Sequence, residues 1–337
     1  MKSALAWSVI ASAILCGCAS NQKEENHHKK RNNTYDVSQY VEEIIIDDPI
    51  ISGENRISTA GDYLIISDFK STEKLLHLFD KRELKHSVSI ADHGIGPTEI
   101  SRLGNVCYDS DDNSLLVLDH GQLRLLAFDM DSIQNSLSYA PTVKSQLDRN
   151  SFPNKFVKVG NVYMGTMIYP NGDYGFNQGV GKWDITSGKI EEMKYKHPKV
   201  EKSRISLTVS NKHRLYAISQ HLYDLISVYD LDGNLKCNIY GPQWEEKIRK
   251  GDHQIHYWGD IKFCKEKIIA SFSGEHYHGD KYDPTSLVIF DLEGNYERTL
   301  KVGYNIVDFC YDEETNRIFM SFNDEIQFGY LNMNEWL

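Results

Sequence analysis

One short phrase occurs twice in this chain almost unchanged, as Tyr229-Asp230-Leu231-Asp232-Gly233-Asn234 and as Phe290-Asp291-Leu292-Glu293-Gly294-Asn295. Each copy follows an apolar run, and its Gly-Asn ending is typical of a tight hairpin turn, because both residues accept a positive φ at little cost. The aromatic-Asp pair recurs earlier in the chain, and a degenerate copy lies near the end: Phe79-Asp80, Phe128-Asp129, Trp183-Asp184 and Tyr330-Leu331. Successive copies are 49, 55, 46, 61 and 40 residues apart. The chain therefore contains an internal repeat.

The residues around each marker can be read as four short strands. Around the fifth marker these strands are Ile261–Cys264, Lys267–Ser273, Ser286–Asp291 and Glu297–Val302. Four antiparallel strands in a repeat of roughly 40 to 50 residues are typical of a β-propeller blade. Residues 41–337 give about 50 residues to each of six blades, against about 42 to each of seven. The sequence therefore predicts an all-β, six-bladed propeller. A β-sandwich with irregular insertions is the alternative, although it does not account for the regular markers.

The sixth repeat lacks its last strand, because the chain ends after the third. The N-terminal segment Val41–Ile46 has the β-branched composition of the missing strand. We therefore expect this segment to complete the sixth blade and to close the ring, so that residues 41–337 form one propeller domain and the protein is a monomer.

Three cysteines occupy related positions near the end of the first strand in three repeats: Cys107, Cys264 and Cys310. Residues at one level of different blades lie around the ring, and the second and fifth blades are opposite each other. A disulfide requires Cα atoms within about 7 Å, which excludes a bridge between Cys107 and Cys264. All three are expected to be small buried apolar residues.

The N-terminal residues have the composition of an export signal. Lys2 is followed by an apolar run from Ala4 to Leu15, which is too short to span a bilayer as a helix. The run ends in Leu15-Cys16-Gly17-Cys18, which resembles the lipobox of bacterial lipoproteins. Residues 1–17 are therefore predicted to be a lipoprotein signal peptide and Cys18 the acylated residue. An ordinary secretory signal with an incidental cysteine is the alternative.

Residues 18–40 are predicted to be a flexible tether, because they are polar and show almost no apolar periodicity. Gln22-Lys23-Glu24-Glu25 resembles the short signals that direct some lipoproteins of Bacteroidota to the cell surface. The basic run at residues 27–31 is interpreted as a solvated charged segment, with metal or anionic headgroup binding as the alternative.

A connector after the first blade has the sequence Gly94-Ile95-Gly96-Pro97-Thr98-Glu99-Ile100. It resembles the Gly-x-Gly-Pro-Gly-Glu connector of the TolB-like six-bladed, NHL-like propeller lipoproteins of Bacteroidota, with Thr98 in place of a glycine. The resemblance covers the lipobox and most of residues 40–337. It implies a propeller anchored to the outer membrane by lipid, at the cell surface or on the periplasmic face, and it implies no assigned activity. From the residues alone, Pro97 is expected to begin a helical turn that carries Glu99.

The charge balance argues against nucleic acid as a partner. The chain carries 37 Lys and Arg against 48 Asp and Glu, a formal charge of -11. A phosphate backbone is repelled by such a protein unless its basic residues are clustered on one face, and the sequence of the predicted propeller shows no such cluster.

Long loops in the third and fifth blades carry most of the candidate ligand-binding residues. In a propeller, the loops between second and third strands share a face with the connections between blades, around the mouth of the central channel. Aromatic residues suit stacking on a small ligand or docking of an envelope protein. The candidates are Tyr169, Tyr174, Phe176, Trp244, Tyr257, Trp258, Tyr277 and Tyr282. Packing of these aromatics within their own loops is the alternative for any single residue.

Four histidines in the same loops are candidate metal ligands: His253, His256, His276 and His278. Neutral imidazoles suit Zn, Cu or Ni, whereas solvated loop histidines are the ordinary interpretation. Asp68, Asp119, Asp260 and Asp308 could approach the position at which calcium-dependent propeller lactonases hold their metal, although acids at strand ends are usually turn-capping groups. No nucleophile elbow and no His-Glu-x-x-His motif is present in the sequence.

The sequence thus predicts a binding or scaffolding module, without a cofactor and without catalytic residues that can be named. A metal-dependent hydrolase or lactonase that uses the same face is the alternative function.

Overall fold

The computed structural model describes residues 24–135, 139–172, 175–194, 196–201, 204–249, 251–277 and 282–337. Within them the chain forms six sheets, each built mainly from strands that are consecutive in the chain and pair antiparallel. Three N-terminal strands add to the outer edges of three of these sheets. The first strands of neighbouring blades are in contact with one another around a central channel. The described residues thus form a six-bladed β-propeller of four-stranded blades, as the repeat predicts.

The strands are numbered in chain order. The N-terminal strands are β1 (Glu24–His27), β2 (Thr34–Asp36) and β3 (Val41–Glu43). The first blade comprises β4 (Asn55–Ala60), β5 (Tyr63–Asp68), β6 (Lys74–Asp80) and β7 (His86–Asp92). The second comprises β8 (Leu103–Asp109), β9 (Ser114–Asp119), β10 (Arg124–Asp129) and, after the short helix α1 (Met130–Asn135), β11 (Thr142–Gln146). The third comprises β12 (Phe152–Val159), β13 (Val162–Pro170), β14 (Phe176–Trp183) and β15 (Ile190–Glu192).

The remaining blades continue the same order. The fourth comprises β16 (Ile205–Ser210), β17 (Leu215–Gln220), β18 (Leu225–Asp230) and β19 (Leu235–Tyr240). The fifth comprises β20 (Ile255–Cys264), β21 (Lys267–His276), β22 (Ser286–Asp291) and β23 (Tyr296–Lys301). The sixth comprises β24 (Ile306–Asp312), β25 (Arg317–Phe322) and β26 (Phe328–Asn332). Short 3-10 turns lie at Ser38–Tyr40 and Gly251–His253.

The hydrophobic core lies between the blades. Seven clusters of buried apolar side chains are present among the described residues, and six of them each join one blade to the next. The cluster between the sixth and first blades, for example, packs Ile57 and Leu64 against Phe319 and Phe328. Removing a blade would therefore expose two apolar faces, which explains why the ring must close.

Closure of the ring is confirmed. The strand β3 pairs antiparallel with β26, so that Val41 lies opposite Leu331 and Glu43 opposite Gly329. The next residue, Ile44, donates its backbone N–H to the Phe328 carbonyl at 2.9 Å and is only 5% exposed. The two ends of the propeller domain are thus held in one sheet.

The aromatic-Asp markers have a double structural role. Their aromatic rings are buried at the end of each third strand, from Phe79 in the first blade to Phe290 in the fifth. The aspartates accept backbone N–H groups of the turn that follows, as Asp184 does from Thr186 at 2.9 Å and Asp291 from Asn295 at 2.7 Å. In the near-identical copies, Gly294 has φ of +86°, the left-handed conformation that favours glycine. Each aromatic-Asp marker therefore corresponds to one buried ring and one capped turn.

Residues 24–40 are not the flexible tether expected from their composition. The strand β1 adds to the outer edge of the fourth blade, parallel to β19, and β2 adds to the fifth blade, parallel to β23. The two strands are held mainly by backbone pairing and expose most of their side chains, which is why no apolar period marks them. We call residues 24–40 the N-terminal strap. The signal peptide, residues 18–23 of the expected tether and Cys18 lie outside the described residues.

The three cysteines of the repeat are buried and form no disulfide within the described part of the chain, as predicted, and Cys237 is buried as well. Burial raises the pKa of the Cys107 thiol to about 12, so this thiol stays protonated and unreactive at neutral pH. None of the helices in the described part of the chain has the length and apolar character needed to cross a membrane.

Candidate functional site

The central channel forms a cavity of about 1760 Å³ that is lined by residues of all six blades. Its mouth is shaped by a repeated contact, in which the residue after a second strand donates its backbone N–H to the residue before the first strand of the same blade. The pairs are Phe69 with Glu54, His120 with Arg102, His221 with Arg204, Tyr277 with Gln254, and Asn323 with Asn305. These positions place one or two side chains from each of five blades around the mouth.

Five rings at this mouth form a continuous series that we call the aromatic arc: Phe176, His221, His256, Tyr277 and Tyr282. The ring centroids of His221 and His256 are 5.8 Å apart, and His256 lies 6.1 Å from Tyr277 and 5.8 Å from Tyr282. Phe176 joins the series through Arg204, whose guanidinium lies 4.1 Å from its ring centroid and whose carbonyl accepts the His221 N–H. The arc spans the third, fourth and fifth blades.

Three of the predicted aromatic residues belong to this arc. Phe176, Tyr277 and Tyr282 line the cavity and expose 40%, 42% and 43% of their surface. Exposed rings over a deep cavity can cover an apolar or ring-shaped ligand. Tyr174 lies outside the described residues.

Tyr257 and Trp258 were expected on a loop and instead lie in the core. The strand β20 begins at Ile255, six residues earlier than the sequence suggested, so both residues belong to a strand that packs between the fourth and fifth blades. Trp258 is fully buried, and Tyr257 donates its hydroxyl to the Gln243 carbonyl at 3.2 Å. They stabilise the fold and do not face the channel.

Trp244 and Tyr169 also pack against the protein itself. Trp244 lies against a small cluster of the fourth blade, with its ring centroid 4.9 Å from that of Tyr240 and 5.7 Å from that of Tyr223. Tyr169 packs against the core between the second and third blades, and burial raises its pKa to about 12. Neither residue is among those that line the channel cavity.

The three candidate metal-binding histidines that the structure describes are not part of a metal-ligand cluster. His253 and His276 are exposed, and His278 lies outside the described residues. Both ring nitrogens of His256 face carbonyl oxygens, Nδ1 that of Tyr282 at 2.8 Å and Nε2 that of Trp258 at 3.0 Å. No group of three or more potential metal ligands occurs within the described ranges.

Four charged residues cross the channel at mid-depth, and we call them the charged belt. The Lys155 ammonium of the third blade lies 3.0 and 2.9 Å from the two carboxylate oxygens of Asp260 in the fifth. Lys262 donates to the same carboxylate at 2.5 Å. Asp308 of the sixth blade accepts the Ile57 N–H at 3.1 Å, which also ties it to the first blade. The belt therefore links opposite sides of the ring.

The two aspartates of the belt have opposite protonation tendencies. Burial acts to raise the pKa of Asp260, but the Lys155 and Lys262 ammonium groups outweigh it and hold that pKa well below its usual range. Burial and the neighbouring Asp260 charge raise the pKa of Asp308, since two carboxylates in one site disfavour double ionisation. Asp260 is thus the permanent anion of the belt.

The acids do not fit a calcium site of the lactonase type. Asp68 caps a loop, where its oxygens accept the N–H groups of Ser52, Lys70 and Ser71. Asp119 accepts the N–H groups of Arg102, Gly121 and Gln122 in the same way. Of the remaining pair, Asp260 is bonded to two lysines, and a divalent cation is disfavoured where ammonium groups already neutralise a carboxylate. The raised pKa of Asp308 further weakens the pair as metal ligands.

The Gly94–Ile100 connector is a closed turn that stabilises the fold. A single hydrogen-bonded turn forms at Pro97, in which Glu99 donates its backbone N–H to the Gly96 carbonyl at 3.3 Å, and it does not continue into a helix. The Glu99 carboxylate in turn accepts the Gly96 N–H at 2.7 Å. Arg124 donates to the Pro97 carbonyl at 2.7 Å and to the Gly96 carbonyl at 3.1 Å. A Cβ at Gly94 would lie 2.0 Å from the Glu99 carboxylate, so a larger residue there would displace this carboxylate from its hydrogen bond with Gly96.

Arg204 and His221 are the functional candidates that the motifs did not indicate. Each lies next to a strand of the fourth blade. The loop between the second and third strands of this blade is short, whereas the predicted binding residues were those of long loops. Aligning the blades at the residues before the first strand and after the second would have found them, because the same positions hold Arg102 and His120 in the second blade.

His221 makes the stability of the propeller depend on pH. Burial, followed by the neighbouring His256, lowers the pKa of His221 to about 4, against about 6.5 in the unfolded chain. Between these values the unfolded chain binds the proton more readily, so the free energy of unfolding falls as the pH is lowered from 6.5 to 4. We expect His221→Gln to reduce this acid-induced loss by about 3 kcal/mol.

The measurement is urea unfolding of both chains at pH 7 and pH 4. Other histidines with lowered pKa values, such as His77 and His120, contribute equally to both chains and cancel in the comparison. Equal loss of stability in the two chains would show that His221 titrates normally.

The fold and the channel define the class of protein, a six-bladed propeller with an open-mouthed central cavity. Residues 38–314 match the family described as TolB-like 6-blade propeller-like, and the chain belongs to this family. No curated protein sequence gives a significant match to the chain.

Solved structures share the fold at low identity. A putative exported protein from Bacteroides fragilis is 11% identical, with a TM-score of 0.54, and the match covers 89% of this chain and 88% of that one. The calcium-binding protein regucalcin from Agrobacterium tumefaciens is 12% identical, with a TM-score of 0.52 over 91% and 95% of the two chains. A gluconolactonase from Xanthomonas campestris is 13% identical, with a TM-score of 0.51 over 81% and 84%. At these identities the likeness concerns the fold alone.

Proposed function

We propose that this chain is a lipid-anchored binding module of the outer membrane that holds a small-molecule ligand in the mouth of its channel. The observation that carries the proposal is the aromatic arc, in which exposed rings border a cavity of about 1760 Å³. A cavity lined by rings together with a few directed polar groups is the usual form of a small-ligand site. Docking of a large envelope protein is less well supported, because the three exposed rings of the arc line a concave surface.

A hydrolase or lactonase using this face is not favoured. The lysine partners of Asp260 disfavour the metal that such a reaction would require, as argued above. The chain shares its fold with a gluconolactonase, but one fold can serve many activities. The shared fold therefore does not identify any residue of this channel as catalytic.

Ligand retention tests the proposed function. The chain is purified from its native host under mild conditions, and the small molecules that it retains are identified by mass spectrometry. We expect one compound to be enriched on the natural chain and lost from a Phe176→Ala, Tyr277→Ala, Tyr282→Ala variant. The control is Tyr35→Ala, Tyr40→Ala, which removes two exposed rings that do not line the cavity. Equal retention by the natural chain and the arc variant would contradict the proposal.

Lipid attachment at Cys18 is the second part of the proposal. If Cys18 carries the lipid, only residues 19–23 separate it from β1, which is fixed to the fourth blade. An extended chain of this length reaches at most about 20 Å. Because β1 starts at Glu24 opposite Cys237 and runs parallel to β19, it starts near the end of the blade that bears the turn between its third and fourth strands. The channel mouth, on the opposite face, would point away from the bilayer.

Mass spectrometry of the mature N-terminus tests the anchor. We expect an acylated Cys18 in the natural chain and in Cys16→Ser, and a soluble chain without lipid in Cys18→Ser. Protease treatment of intact cells then distinguishes the proposed cell-surface location from a periplasmic one. A Cys18→Ser chain that remains membrane-bound would contradict the anchor.

A further inference from the structure

The charge of the channel differs in sign from that of the whole protein. Among the described residues that line the cavity, seven are Lys or Arg and four are Asp or Glu, whereas the chain as a whole carries 37 basic and 48 acidic side chains. A low-dielectric cleft lined by one sign of charge concentrates small ions of the opposite sign. An acidic protein thus has a basic cavity.

Three of these cations have no anionic partner among the residues that the structure describes. Lys70 is paired with Glu54 at 3.3 Å, and the lysines of the belt are paired with Asp260. By contrast, no carboxylate among the described residues lies within salt-bridge distance of Arg56, Arg102 or Arg204, each of which lines the cavity. A guanidinium presents planar paired donors that match a carboxylate or phosphate in two parallel hydrogen bonds.

A buried hydroxyl supplies an independent observation. Thr166 lines the cavity and is only 1% exposed, and its Oγ1 has no hydrogen-bond partner in the structure. Thr166 lies directly opposite Lys155 in the β12–β13 pair, so the two side chains project from the same face of the blade. A buried hydroxyl without a partner costs free energy unless a ligand or a water satisfies it, and here it faces the channel from a strand position opposite a lysine.

The position of Arg204 shows how one ligand could both pair with a guanidinium and pack against aromatic rings. Its guanidinium lies over the exposed Phe176 ring. Its backbone carbonyl accepts the backbone N–H of His221. An oxyanion bound by the guanidinium would therefore place its attached ring beside the aromatic arc. His221 is neutral at pH 7 because its pKa is about 4, so it can donate or accept a hydrogen bond there without adding charge.

We propose that the channel mouth binds a small ring-bearing oxyanion, a carboxylate or a phosphate, whose charged group is held by Arg204 and whose ring packs against the aromatic arc. This inference rests on the proposed ligand-binding function and specifies its ligand class. Arg102 carries a second guanidinium into the same cavity from the second blade, and Thr166 offers a hydroxyl at greater depth.

Isothermal titration with three matched probes tests the ligand class. Benzoate and phenyl phosphate present the same ring with either oxyanion, and benzyl alcohol presents it without charge. We expect at least one anion to bind saturably at concentrations up to about 10 mM, and at least tenfold more tightly than benzyl alcohol. Arg204→Gln should weaken that binding about tenfold, the loss of one charge-assisted contact, and which anion binds identifies the oxyanion.

Arg82→Gln is the control for charge. It changes the net charge equally but lies outside the cavity, paired with Asp62 at 2.9 Å, and it should leave the affinity unchanged. Arg204→Gln should fold normally because its guanidinium contacts an exposed ring and makes no ion pair. A thermal melt checks this directly.

The outcomes separate this inference from the proposed function. If benzyl alcohol binds as tightly as the anions, or if Arg204→Gln binds the anions as tightly as the natural chain, the ligand class is wrong while the binding site stands. If no anion binds saturably, the ligand class is also overturned, and the retention experiment then decides alone whether the arc binds a ligand.

Discussion

Replacing Ile44 with serine is expected to destabilise the whole propeller, whereas the same change at Ile45 is not. Ile44 is 5% exposed and packs with Phe319 and Phe328 between the sixth and first blades, while Ile45 is 72% exposed. Truncating a buried isoleucine costs about 2 to 5 kcal/mol, and burying a hydroxyl without a partner adds to the cost. We expect Ile44→Ser to lose about 4 kcal/mol and Ile45→Ser to stay within about 0.5 kcal/mol of the natural chain.

Deleting residues 41–48 extends the same test to the strand itself. The deletion removes β3, so β26 becomes an unpaired edge, and it removes Ile44 from the core. Unpaired edges lead to association through their free N–H and C=O groups, so the deleted chain should aggregate on mild heating. Urea unfolding measures the two substitutions, and light scattering follows the deletion. A deleted chain that stays monomeric with an unchanged melting temperature would show that the ring does not depend on β3.

The closure of the ring could be predicted because its signals are local. Each of the first five blades repeats a buried ring and a capping aspartate within a few residues, and the segment Val41–Ile46, which contains β3, has the β-branched composition of a strand. The physical cause of the marker is short-range, a turn whose N–H groups are satisfied by a side chain two to four residues away, as in Asp230 with Asn234. Periodic features of this kind are visible in one sequence.

The N-terminal strap could not be predicted because its partners are remote. Arg31 belongs to a run of charged residues that reads as solvated, yet its partner Asp224 is 193 residues away. Similarly, Trp258 was placed on a loop because nothing in the local sequence shows that β20 begins at Ile255. The channel cations could not be predicted for the same reason, because Arg102 and Arg204 line one cavity only when the ring is closed.

The ion pair of the strap leads to the second large expected effect. The Arg31 guanidinium lies 2.7 Å from the Asp224 carboxylate, and the two side chains are only 8% and 0% exposed. The same guanidinium lies 4.6 Å from the Trp258 ring centroid and 5.0 Å from that of Phe272. One residue of the strap thus joins the fourth blade, through Asp224, to the core of the fifth.

Arg31→Met is expected to destabilise the protein by about 3 to 5 kcal/mol, because it leaves the Asp224 carboxylate buried without a counter-charge. Adding Asp224→Asn should restore part of the loss, since the amide removes the unpaired charge while its oxygen can still accept the Gln243 N–H, now 3.1 Å from the carboxylate. The neighbouring Lys30 is exposed, so Lys30→Met serves as the control and should change stability by less than about 0.5 kcal/mol.

A double-mutant cycle in urea measures the coupling of Arg31 with Asp224, and native-state proteolysis shows whether the strap has been released. A coupling above about 1.5 kcal/mol, together with new cleavage between residues 24 and 40 in Arg31→Met, would establish that the strap is part of the folded domain. If Arg31→Met and Lys30→Met are equally stable, residues 24–40 behave as the flexible tether that their composition suggests. The distance between a lipid on Cys18 and the propeller would then be set by about 22 residues of free chain and not by five.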